Sequence, residues 1–212
     1  YLNVQNVTQL NPAAATSSPK LGRDLPRKTS DSDIERLLAV CEDDPVGLRD
    51  QAFLELLYAS GARIAELARL ELADVNFSDA SIRLFGKGSK ERIVPLYPIA
   101  LEAVGRYVRE GRPALLEDAC GNALFVSTRG NAMSADSLRR VFKQRAAQAG
   151  LDPSLHPHDM RHAFATDLVE GGADLRSVQE MLGHASLSTT QVYTHLSLQH
   201  MKDVYKDAHP RS

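Results

Sequence analysis

The chain has 212 residues, enough for one sizeable core with a tail, and its 43% hydrophobic and 25% charged residues are ordinary for a globular protein. No run approaches the ~18 consecutive apolar residues that span a bilayer, and no basic-apolar leader opens the sequence, so a membrane helix is excluded and nothing argues for secretion. With 25 Lys+Arg against 27 Asp+Glu the net charge is −2, which speaks against nucleic-acid binding through bulk positive charge.

Residues 1–28 read as a tail and linker, because Asn11-Pro12, Ser17-Ser18-Pro19 and Leu25-Pro26 are turn and extended-chain signals. The apolar residues Tyr1, Leu2, Val4 and Val7 read as the end of a helix belonging to a further domain. The globular part is expected over 29–212. Ser30 or Asp31 can cap a helix carrying Ile34, Leu37 and Leu38, and a second follows Pro45 with Phe53, Leu54, Leu57 and Tyr58. Gly61 should break it before a short third helix through Ile64, Leu67 and Leu70.

The period then changes. Ile82 and Leu84 alternate before Gly86-Lys87-Gly88-Ser89, and Ile93 with Pro95 follows, as in a β-hairpin or small sheet. Helical spacing returns over 98–110, 134–149, 160–170, 174–182 and 188–206. The expected fold is mainly α with a small antiparallel β-sheet. Cys41 and Cys120 are too few and too far apart for a disulfide framework or zinc knuckle, so they read as small buried side chains in a reducing cytoplasm.

Charge is unevenly spread. Residues 24–79 hold 6 basic and 13 acidic side chains, whereas 81–112 hold 7 and 3, and 129–161 hold 6 and 3. Two basic stretches therefore sit in an otherwise acidic molecule. Arg106, Arg109 and Arg112 read as a solvated helix face, but Lys87, Lys90 and Arg92, gathered on a turn, suit a polyanion.

Four clusters could carry chemistry. In Gly61-Ala62-Arg63-Ile64-Ala65-Glu66-Leu67, an Arg opens an otherwise apolar helix, and pairing with Glu66 is its structural reading. Gly86-Lys87-Gly88-Ser89-Lys90-Glu91-Arg92 lacks the spacing of a Walker A loop, but its glycines permit a tight turn that holds Lys87 out. In His158-Asp159-Met160-Arg161-His162, His158 and Arg161 share a helix face. Finally, Leu182-Gly183-His184 is followed nine residues later by Tyr193.

His158 and His162 have the spacing of a zinc helix, yet Asp159 stands where the zinc-protease pattern needs Glu, and a third ligand would have to come from His184 or His195. Two arginines, a lysine, two histidines and a tyrosine instead suit metal-free attack on a phosphodiester. The tyrosine hydroxyl can act as nucleophile, guanidiniums and His can bind the non-bridging oxygens, and lysine can protonate the leaving oxygen.

Taken together, these motifs resemble the tyrosine site-specific recombinases of the bacterial Xer type. The resemblance covers nearly the whole chain. It runs from Tyr58-Ala59-Ser60-Gly61-Ala62-Arg63 through the Lys87 hairpin and His158-x-x-Arg161-His162-Ala163-Phe164-Ala165-Thr166, then through Gly172-Ala173-Asp174-Leu175-Arg176 to Leu182-Gly183-His184 and Tyr193-Thr194-His195. The ending Ala208-His209-Pro210-Arg211 is similar too.

The resemblance implies the family's catalytic-domain fold over 29–212, with 1–28 as the end of an N-terminal core-binding domain plus linker. It implies Tyr193 as nucleophile, Arg63 and Arg161 as a phosphate clamp, His184 on the same phosphate, His158 in proton transfer and Lys87 as general acid. Lys90, Arg92, Arg139, Arg140 and Lys143 become candidate DNA contacts. No cofactor or metal is implied. The implied partners are a double-stranded recombination site, recombinase protomers in a tetramer on DNA and a septal DNA translocase, and the implied place is the cytoplasm.

The stretch Leu196, Leu198, Met201, Val204 and Tyr205 has helix-like apolar spacing. By default it packs on its own domain, whereas the resemblance implies docking on a neighbouring protomer in the assembly. Ala62, where an apolar residue such as Leu is common, and Ala135-Asp136 depart from the family pattern and bear on site specificity. An integrase of a mobile element and a non-catalytic DNA-binding scaffold are the competing readings.

Overall fold

Ser30 opens the first helix by accepting the Asp33 amide at 3.2 Å, and α1 (Asp31–Ala39) buries Ile34, Leu37 and Leu38 on one face. The computed structural model describes residues 29–86, 91–116, 121–183 and 195–212, so the expected tail and linker over 1–28 lie outside the described residues. Asp44 caps α2 (Pro45–Ser60) at the Gly47 amide, and Pro45 supplies a pre-set φ where no amide donor is needed. From Leu48 to Ser60 this helix is buried on nearly every side, the polar Arg49, Asp50, Glu55 and Ser60 included, and packs against α1 and the later helices.

Gly61 ends α2 in the left-handed conformation, and α3 (Ile64–Leu67) follows, stopping before Leu70. Three strands, β1 (Val75–Asn76), β2 (Ser81–Phe85) and β3 (Glu91–Pro95), form an antiparallel sheet in sequence order. Ile82 faces Val94, and Leu84 faces Arg92 across β2 and β3. The hairpin follows the alternation in the sequence. β1 has only two residues, too few to show a period.

α4 (Pro98–Arg106) passes through a wide π-type turn at Tyr107–Gly111 into α5 (Arg112–Leu116). α6 (Ala135–Gln148) is capped by Ser134, α7 (Pro157–Glu170) starts at a proline, and α8 (Leu175–Leu182) is capped by Asp174 and closed by Gly183. α7 begins three residues earlier than its apolar spacing suggested, because Pro157 occupies the first turn. The last helix, α9 (His195–Ala208), covers the C-terminal part of the stretch expected over 188–206, and 188–194 lie outside the described residues.

α9 packs on α7 and β3 of its own chain, burying Met201, Tyr205 and Ala208, and the Tyr205 hydroxyl donates to the Ala59 carbonyl at 2.9 Å. His209 follows into a ring of aromatics, with centroids 4.8 Å from Tyr97 and Tyr205, 5.1 Å from Tyr58 and 5.9 Å from Phe164. Its Nδ1 accepts the Arg211 amide, and buried Nε2 has no hydrogen-bond partner among the described residues. Burial, with the nearby Arg211 charge, pushes the His209 imidazole down to about 3 from 6.5.

The unfolded chain therefore binds a proton at His209 that the folded chain refuses. This contribution is fully present above pH 6.5 and is lost as pH falls toward about 3, at roughly 1.4 kcal/mol per pH unit. His209→Phe is expected to flatten the fall in urea midpoint between pH 7.5 and 5.0, by about 2 kcal/mol of folding free energy. An acid dependence identical to that of the wild type would refute the assignment.

Candidate phosphate-binding site

Two helices end close together and present their carbonyls to one side chain. Arg161, in the second turn of α7, donates from Nη1 to the Gly61 carbonyl at 2.5 Å and from Nη2 to the Leu182 carbonyl at 2.6 Å. These carbonyls close α2 and α8, each at a left-handed glycine: Gly61 at φ 54° and Gly183 at φ 68°. The partial negative charge of a helix C-terminus suits a cation there. Even so, Arg161 is only 5% exposed, and burial, followed by Arg63 and Arg92, pushes its guanidinium down to about 10.

Gly61 is required twice. A side chain would be strained at its positive φ, and a Cβ would stand 2.4 Å from Cδ1 of buried Phe164. Gly61→Ala is expected to cost about 3 kcal/mol, from backbone strain plus displacement of the Phe164 ring. Chemical denaturation would check it, and a loss under about 1 kcal/mol would contradict the geometry.

Arg63 opens α3 and Glu66 reaches back to it. The Glu66 carboxylate accepts the Arg63 backbone N–H at 2.7 Å and its guanidinium at 3.2 Å. The same carboxylate takes a bidentate pair from Arg92 of β3, at 2.9 and 2.8 Å. Burial pushes the Glu66 carboxyl up, but the Arg92 hydrogen bonds and charge, then Arg63, hold it below the usual carboxylate range. Three guanidiniums thus gather around one carboxylate that Arg92 and Arg63 already engage. No ion pair joins Arg161 to a carboxylate among the described residues, whereas the Arg63 side chain is 49% exposed. The cluster carries excess positive charge and can take an anion with several acceptor oxygens.

His158 is exposed in the first turn of α7, one turn before Arg161, and His162 is exposed as well. Lys87, Lys90, His184 and Tyr193 lie outside the described residues. Arg139 is exposed and pairs with Asp136, and Arg140 donates to the Ser137 hydroxyl. Lys143 donates to the Pro153 and Leu155 carbonyls, both at 2.7 Å, holding the loop that leads into α7.

Arg92 differs from its expected role at a DNA surface. It is 3% exposed and engaged by Glu66 and by the Met181 carbonyl, because β3 turns it toward α3 and the end of α8. Arg112, read as solvated, is buried as well, bonding the Gly121 and Ala123 carbonyls. Glu66, read as the structural partner of Arg63, and Gly61, read as a helix break, both belong to the site. The part that sequence reasoning did not place is the link from Glu66 to Arg92.

The acidic N-terminal portion supplies counter-charges to the basic stretches. Asp43 pairs with Arg106, Asp50 with Arg145, Asp74 with Arg83 and Glu66 with Arg92. Much of the local positive charge counted along the chain is therefore neutralised by pairing within the chain. Among the described residues no three His, Cys, Asp or Glu side chains converge as metal ligands, and no helix is long and apolar enough to cross a membrane.

Residues 27–200 match the family described as the phage integrase family. The tyrosine recombinase XerC of Haemophilus ducreyi is 45% identical over 212 residues, all of this chain and 69% of that protein. The tyrosine recombinase XerD of Proteus mirabilis is 44% identical over 213 residues, again the whole chain and 68% of its relative. Among solved structures, the XerH site-specific recombinase bound to a palindromic difH substrate, a post-cleavage complex, superposes with a TM-score of 0.66 at 28% identity, over 88% of this chain and 54% of that one. With a mainly helical fold, a three-stranded antiparallel sheet and matches of this extent, the chain belongs to the phage integrase family as a Xer-type tyrosine recombinase, an enzyme of site-specific DNA cleavage and rejoining.

Proposed function

We propose that this chain cleaves DNA through Tyr193 and rejoins it in the resolution of chromosome dimers. The observation that carries this reading is the arginine cluster: buried Arg161, held by two helix ends and paired with no carboxylate among the described residues, beside half-exposed Arg63. A scissile phosphate placed there meets two guanidiniums on its non-bridging oxygens, where charge grows in the five-coordinate transition state.

The Tyr193 oxygen attacks phosphorus, and its proton passes to a base for which exposed His158 is the candidate. The bond from phosphorus to the 5′ oxygen breaks, and Lys87 donates the proton that makes the free 5′-hydroxyl. His184 adds a hydrogen bond to the phosphate. The 3′-phosphotyrosine keeps one phosphoester for the one broken, so religation by the 5′-hydroxyl needs no ATP.

Arg139, Arg140 and Lys90 are the proposed contacts to the duplex backbone. Lys143 is bound to the loop before α7 and supports that face. Double-stranded recombination sites, sister protomers in a tetramer and a septal DNA translocase are the proposed partners, in the cytoplasm.

The test is a nicked suicide duplex carrying a recombination site that the protein itself selects from randomised duplexes. A covalent protein–DNA adduct that maps to Tyr193 is expected with chelator present. Selected duplexes that are bound but never cleaved would overturn the assignment.

A further inference from the structure

Arg92 is charged and 3% exposed, and it belongs neither to the phosphate clamp nor to the duplex-facing surface. Its guanidinium joins three elements. It sits on β3, the strand that follows Lys87 in the sequence. Two of its nitrogens grip both oxygens of Glu66, which holds the backbone and guanidinium of Arg63. Its Nε donates to the Met181 carbonyl at 2.7 Å, at the end of α8 where the chain leaves toward His184.

Gly183 bears independently on this contact. A Cβ there would lie 3.2 Å from both Cδ and Nη1 of Arg92, so the absence of a side chain leaves the guanidinium its room. A buried ion pair is seldom the most stable filling of such a space, since apolar residues of similar volume often do as well or better. What it provides is direction: a planar fork fixes the angle between the elements it joins.

We propose that Arg92 is a positioning residue for strand cleavage, orienting Arg63 through Glu66 and the exit of α8 through the Met181 carbonyl. The proposal rests on the roles given above to Arg63, Lys87 and His184. Arg92→Met removes every donor. Arg92→Lys keeps the charge, but a single ammonium cannot reproduce the fork across both Glu66 oxygens and the carbonyl.

The experiment measures single-turnover cleavage of the selected suicide duplex at saturating concentration, duplex affinity and melting temperature, in the protein with all of its native sequence. Arg92→Met is expected to cleave about 100-fold more slowly with affinity unchanged. Arg92→Lys, which keeps the ion pair, should melt closer to the wild type than Arg92→Met yet still cleave more slowly. The double variant Glu66→Gln/Arg92→Met, in which neither partner of this pair is left charged, should regain melting temperature but not rate.

Wild-type cleavage by both single variants, or a rate that recovers together with melting temperature in the double variant, overturns the proposal and leaves the Tyr193 reading intact. Failure of the wild type to form any adduct overturns both.

Discussion

Arg161→Ala is expected to slow single-turnover cleavage by about 10³-fold while the variant still binds its duplex. The reason lies in how the guanidinium is held. Its partners are two neutral carbonyls at helix ends, 2.5 and 2.6 Å away, and Glu66 is engaged by Arg92 and Arg63. A guanidinium already desolvated and oriented need not reorganise when charge grows on the phosphate, so its electrostatic effect is realised at the transition state.

The substitution also has a structural consequence. The Gly61 and Leu182 carbonyls lose their donor, at about 1–3 kcal/mol each, offset by removal of a charge that burial disfavours. Arg161→Lys separates the two effects, because it keeps the charge but cannot fork to both carbonyls. It should fold and bind DNA, yet cleave far more slowly than the wild type. Rapid-quench assays on the suicide duplex would decide this, and a rate for Arg161→Ala close to wild type would remove the arginine from the phosphate site.

Tyr193→Phe is expected to abolish the covalent adduct, a loss on the order of 10⁶-fold, as for other deleted nucleophiles that act within a unit. Only one oxygen is removed, so folding and duplex affinity should be unchanged. Both ends of the segment carrying Tyr193 are tied to the domain. Gly183 lies against Arg92, and α9 is held by the Tyr205 bond to Ala59 and by His209 in its aromatic ring. Denaturing gels and peptide mapping would check the outcome. An adduct formed by Tyr193→Phe would assign the nucleophile elsewhere.

Helix boundaries were largely legible in the sequence because they depend on chemistry within a turn. Ser30, Asp44 with Pro45, Ser134 and Asp174 open helices, and Gly61 and Gly183 close them. The hairpin was legible from alternation at Ile82 and Leu84. The π-type turn after Arg106 was not, because helical spacing continues through it, and the start of α7 was hidden by the polar first turn after Pro157. In the site, Arg63, His158 and Arg161 could be picked out by residue type and motif, but the distinct surroundings of the two arginines could not.

Arg92 marks the limit. Its sequence neighbours are a turn and a strand, which fit a DNA contact as well as a buried pair. The difference was made by a carboxylate 26 residues earlier and a carbonyl 89 residues later. The net charge follows the same logic. By itself the sequence determined most of the elements and the inventory of candidate catalytic side chains, since caps, periods and motifs are local. Only the tertiary structure decided where the charge goes, because a guanidinium finds its partner by distance through space. Here the fold uses the acidic N-terminal portion to neutralise Arg83, Arg92, Arg106 and Arg145, and sets Arg161 between two helix ends.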